Sequence, residues 1–101
     1  MTTPVLTQDL ETVRKIVLNH LKGYRAKVYL FGSQATGKAR PKSDIDVAVL
    51  PLQPLPDLLF FSIRESLDES DVVRHVDVVN LSETDEEFSQ RVTKEGILWK
   101  K

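Results

Sequence analysis

The stretch from Val28 to Leu50 constrains this chain most. It reads Val28-Tyr29-Leu30-Phe31-Gly32-Ser33, then ten residues, then Asp44-Ile45-Asp46-Val47-Ala48-Val49-Leu50. Two apolar runs of strand length flank a Gly-Ser turn and a connection. Asp44 and Asp46 open the second run at i and i+2. In a strand those positions share a face, about 7 Å apart along the backbone. Two carboxylates so placed repel each other and are costly to desolvate unless a cation lies between them. Ile45, Val47 and Val49 take the opposite face and read as core. One face of this strand is therefore buried, and the other offers a divalent-metal site.

The turn adds a second function. Gly32 permits a tight turn and close approach of a ligand to the backbone. Ser33 can open a short helix through Gln34 to Thr36, with its hydroxyl and the first free amides facing the same space. Such amides bind phosphate. A phosphate cradle beside paired carboxylates predicts a nucleoside triphosphate carried as its magnesium complex.

The rest of the composition narrows the class. The chain has 101 residues, 41% hydrophobic and 29% charged, which suits one globular domain. A net charge of -1 gives no strong general affinity for nucleic acid. There are no cysteines, so disulfides, zinc–thiolate sites and thiol catalysis are excluded. The start, Met1-Thr2-Thr3-Pro4-Val5-Leu6, has no basic region followed by an apolar run and is not a signal peptide. No apolar stretch approaches membrane-spanning length. The expected location is the cytoplasm.

The remaining elements follow from periodicity. Leu6, Leu10, Val13, Val17 and Leu21 mark one helix face, with Thr7 as N-cap, Asp9 and Glu11 in the first turn and Gly23 as the stop. His20, in the last turn, reads as a surface residue that complements the helix dipole. Arg25 to Phe31 is the first strand and Ser43 to Leu50 the second. Lys38, Arg40 and Lys42 make a basic cluster in the connection: either a solvated loop or charge for neutralising a triphosphate. After Pro51, Pro54 and Pro56 comes a helix with Leu59, Phe60, Ile63 and Leu67 inward. Of the adjacent Phe60 and Phe61, at least one is core. Val72 to Asn80 is the third strand, with His75, Asp77 and Val79 on one face. Asp77 lies among β-branched apolar neighbours, which is costly unless it is exposed or bound to something. Ser82 caps a last helix with Phe88 and Val92 inward, and Ile97 to Trp99 is a short closing strand. This order predicts an α/β sandwich.

Gly32-Ser33 followed after ten residues by Asp44-x-Asp46 resembles the signature of the DNA polymerase β-like nucleotidyltransferase superfamily. The wider run Leu30-Phe31-Gly32-Ser33-x-Ala35-x-Gly37-x-Ala39-Arg40-Pro41-x-Ser43-Asp44-Ile45-Asp46 is similar to its smallest branch, the minimal nucleotidyltransferase (MNT) domains, which are paired with HEPN-domain toxins. The resemblance covers nearly the whole chain. It implies an α+β nucleotidyltransferase fold: a small mixed sheet with helices mainly on one face and the site on the other. It implies two magnesium ions on Asp44, Asp46 and a third carboxylate, which Asp77 matches by pattern and order. It places ATP at Gly32 and Ser33, with Lys38, Arg40 and Ser43 nearby. Gln34 and Thr36 stand where this branch often has basic residues, which leaves Lys38 and Arg40 as the nearby cations. The implied reaction is transfer of AMP from ATP to a tyrosine hydroxyl of a partner HEPN toxin, with release of pyrophosphate. Two other readings remain open: a non-catalytic module that neutralises its partner by contact, and a nucleotidyltransferase acting on RNA or a small molecule. A homo-oligomer is compatible with all three.

Overall fold

The computed structural model describes residues 5–32, 35 and 44–100. The elements in chain order are helix α1 (Val5–His20), strands β1 (Ala26–Phe31) and β2 (Ile45–Pro51), helix α2 (Asp57–Asp68), strand β3 (Val76–Asn80), a 3-10 turn (Leu81–Glu83), helix α3 (Glu86–Glu95) and strand β4 (Ile97–Lys100). The four strands form one mixed sheet in the order β3-β2-β1-β4. β1 runs antiparallel to both β2 and β4, and β2 runs parallel to β3.

Alternation in β2 sets the layers. Ile45, Val47 and Val49 are fully buried with Val28 and Leu30 against Val13, Val17 and Leu21 of α1 and Leu59, Phe60, Ile63 and Leu67 of α2. Each such side chain contributes about 1.5–3 kcal/mol by leaving water. The opposite face carries a smaller cluster, in which Tyr29 and Ala48 meet Leu81 and Val92, with Phe31 and Phe88 against them. Two helices thus cover one face, and α3 covers part of the other, as the mixed-sheet expectation requires. Trp99 packs against the larger core. Phe60 is core, whereas Phe61 is exposed.

Several boundaries differ from the sequence reading. α1 begins at Val5, so Thr7 is inside the helix and Asp9 lies beyond the first turn. Asp9 is instead buried and faces the Arg74 guanidinium at 3.6 Å, an ion pair that ties α1 to the segment before β3. His20 is not a free surface residue, because its Nε2 lies 2.8 Å from the Ser66 hydroxyl of α2. β3 starts at Val76, four residues after Val72. Ser82 does not cap α3. It sits in the 3-10 turn, where its N–H donates to the Asn80 side chain at 3.0 Å. Asp85 is the N-cap, accepting the Phe88 N–H at 2.7 Å. Replacing Asp85 with Ala removes that acceptor and is expected to cost about 1 kcal/mol, read as a lower urea midpoint with unchanged slope.

Candidate active site

Three chain segments meet at one end of the sheet. β1 arrives there at Phe31, while β2 and β3 leave from it, because the first pair is antiparallel and the second parallel. Asp46 lies opposite Phe31 on one side and Asp77 on the other. Neighbouring strands are about 4.8 Å apart, so Asp46 and Asp77 stand side by side on the face away from the main core. Asp44 precedes β2 on the same side as Asp46 and is exposed, as is Asp77, while Asp46 is half-buried. His75 adjoins them: its carbonyl accepts the Ile45 N–H at 2.9 Å, fixing the start of β3 beside β2.

Electrostatics single out Asp46. Burial pushes its carboxyl above the ordinary value of 3.8, and the charges of Asp77 and then Asp44 push it the same way, while His75 acts against them. A carboxylate raised by its own neighbours is one that a cation would relieve. Gly32 completes the arrangement. Its φ is +77°, and a Cβ built there would lie 2.5 Å from Asp46 Oδ2. Its carbonyl accepts the Ala35 N–H at 3.1 Å, closing the turn after β1. The backbone therefore comes within touching distance of the carboxylate.

Among the described residues no three acidic or imidazole side chains converge to enclose an ion. The donor set still fits magnesium, which is held through one or two carboxylates plus substrate phosphates rather than by an all-protein cage. Of the residues expected from the sequence, the structure brings together Gly32, Asp44, Asp46 and Asp77. Ser33, Lys38, Arg40 and Ser43, with Gln34, Thr36 and Lys42, lie outside the described residues.

Beside this cluster a cleft of about 260 Å3 opens between the end of β1 and α3, lined by Phe31, Gly32, Phe88, Arg91, Val92 and Glu95. Phe31 and Phe88 pack edge to face, their ring centres 5.8 Å apart. Helical periodicity had marked Phe88 and Val92 as an inward face but gave no role to Phe31, Arg91 or Glu95. The signal was in strand alternation, which puts Phe31 on the face of the carboxylates.

No helix among the described residues is long and apolar enough to cross a membrane. The family model for the polymerase beta nucleotidyltransferase domain matches residues 11–100. A Haemophilus influenzae protein named "Probable protein adenylyltransferase MntA" is 31% identical over 90 residues, which cover 89% of this chain and 77% of that protein. A crystal structure of a toxin–antitoxin with AMP-PNP superposes with a TM-score of 0.65 at 26% identity, covering 85% of this chain and 71% of that one. A structure assigned as a minimal nucleotidyltransferase gives a TM-score of 0.70 at 27% identity, over 89% of this chain and 92% of that one. With a match over nearly its full length, and with paired strand carboxylates beside a glycine turn, the chain belongs to the polymerase beta nucleotidyltransferase family.

Proposed function

We propose that this chain is an antitoxin that transfers AMP from ATP to a tyrosine hydroxyl of a partner HEPN toxin and releases pyrophosphate. The observation that carries this is the pairing of Asp46 with Asp77 across β2 and β3, with the Gly32 backbone against Asp46. The relative named as a protein adenylyltransferase and the toxin–antitoxin structure containing AMP-PNP support the nucleotide and the partner class. Asp44, Asp46 and Asp77 are the oxygen donors that would hold two magnesium ions. Bound there, magnesium neutralises triphosphate charge and lowers the pKa of the acceptor hydroxyl.

The chain's own groups divide the remaining work by position. Gly32, with Ser33 beside it, holds the phosphates through backbone amides and the serine hydroxyl, and Lys38, Arg40 and Ser43 add charge and hydrogen bonds from the connection. Asp77 lies on edge strand β3 and is exposed, a position open to an acceptor from outside the chain. The hydroxyl oxygen attacks the α-phosphorus, and the bond from that phosphorus to the bridging oxygen of pyrophosphate breaks. Asp77 takes the hydroxyl proton, or would be one of the carboxylates that hold magnesium. Orientation and charge neutralisation carry the rate, as in other phosphoryl-type transfers.

ATP labelled at the α-phosphate, and separately at the γ-phosphate, tests the reading with magnesium and the product of any neighbouring HEPN toxin gene. Label is expected on the toxin from the α position only. Transfer from the γ position would make the protein a kinase. A tight complex with no transfer from either position would leave a module that acts by contact.

A further inference from the structure

The cleft between β1 and α3 is unexplained by the carboxylates, and its chemistry is specific. Phe31, Phe88 and Val92 supply apolar walls, and Arg91 and Glu95 stand on its rim. Arg91 and Glu95 are one helical turn apart on α3, and both are exposed. They are spaced for an ion pair, yet no such pair forms between them among the described residues. The rim therefore presents one free donor fork and one free acceptor. Glu95 is also the last residue of α3, where a carboxylate runs against the helix dipole. An apolar slot with a donor and an acceptor at its edge is the form of a site for a flat heterocycle. Rings stack on aromatic walls, and polar rim groups read their edges.

Position selects the heterocycle. Gly32 lines the cleft and also touches the space beside Asp46. A nucleotide whose phosphates lie at Gly32 has its base within one ribose of this slot. The acceptor side lies at Asp77, on the opposite side of β2 from β1. We infer that the cleft of Phe31, Phe88, Arg91 and Glu95 holds the nucleobase of the incoming triphosphate, with Arg91 donating to its edge and Glu95 accepting from it. This rests on the nucleotidyltransferase reading above and adds to it the residues that choose the base.

Equilibrium binding tests the inference. The probes are ATP, GTP, CTP, UTP and, as a base-free control, tripolyphosphate, each with magnesium. The proteins are wild type, Arg91→Ala and Glu95→Ala, all changed only at exposed positions. Each variant is expected to bind ATP about tenfold more weakly, the loss of one charge-assisted hydrogen bond. Each is also expected to alter the ranking of the four nucleotides and to leave tripolyphosphate affinity unchanged. Equal weakening of tripolyphosphate by Arg91→Ala would overturn the inference, because Arg91 would then serve phosphate. Unchanged affinities and ranking in both variants would overturn it as well. Binding needs no transfer, so the two readings fail separately. A wild type that ranks bases but transfers nothing would sink the adenylyltransferase reading alone. A wild type that transfers AMP, with variants indistinguishable from it, would sink the base site alone.

Discussion

Asp46→Asn is expected to abolish transfer, by about a thousandfold or more, and to raise the melting temperature at neutral pH. The first effect follows from losing the central anionic donor between Asp44 and Asp77. The second follows from the sign of the perturbation. Burial first, then the charges of Asp77 and Asp44, raise the Asp46 carboxyl above 3.8 in the folded chain. A folded-state value above the unfolded one means that the fold favours the neutral acid. That contribution is fully present below the unfolded value and is lost as pH rises through the folded one. At neutral pH the ionised side chain therefore works against the fold, and Asn removes the charge while keeping the shape. Solvent screens a half-buried group, so the gain in stability is small beside the loss of activity. The measurement is thermal unfolding of both proteins from about pH 3 to pH 8. The advantage of the variant should fade as the pH falls below the ordinary Asp value. Magnesium with ATP should stabilise the wild type and not the variant, since only a bound ligand shifts the equilibrium. A variant less stable than wild type at neutral pH would mean that the Asp46 charge is already compensated within the fold.

The parts of this molecule that were legible in sequence are those written in one strand or one helix turn. Ile45, Val47 and Val49 against Asp46 required only a period of two. Leu59, Phe60, Ile63 and Leu67 required only a helical period, and all four are buried. Residue type, spacing and chain order named Gly32, Asp44, Asp46 and Asp77 together, and the structure brings them to one end of the sheet. Errors arose where a distant partner decides. Val72 to Arg74 has strand-like composition, but the Ser70 hydroxyl accepts the Val72 N–H at 3.2 Å and Arg74 turns to Asp9, 65 residues earlier. Asp9 looked like a dipole-complementing residue for the same reason. Ser82 and Asp85 are both good capping types, and nothing local shows that a 3-10 turn takes the first and leaves the helix to the second. The cleft beside Gly32 is of this kind too. It exists because α3 crosses back over β1, which brings Arg91 and Glu95 to a residue some sixty positions earlier.

Gly32→Ala and Gly23→Ala should separate backbone strain from damage to the site. Both glycines have positive φ, +77° and +90°, where an alanine costs about 1–2 kcal/mol. Their surroundings differ. A Cβ at Gly23 meets nothing within 4 Å, whereas a Cβ at Gly32 would lie 2.5 Å from Asp46 Oδ2. That oxygen is the end of a side chain rather than backbone, so the contact is relieved by turning the carboxylate away. The relief costs the fold little and displaces the central donor of the site. The two variants are therefore expected to lose similar stability but unlike amounts of activity. Gly23→Ala should keep transfer near wild type, while Gly32→Ala should fall by about a hundredfold, the scale of a misplacement near 1 Å at a reacting centre. Urea unfolding and α-label transfer on the same preparations measure both quantities. If Gly32→Ala transfers as well as Gly23→Ala, then Asp46 tolerates rotation, and its present orientation against the turn is not what the chemistry uses. If only Gly32→Ala loses transfer, the glycine is required there because a carboxylate, and not merely a turn, occupies the space that a side chain would take.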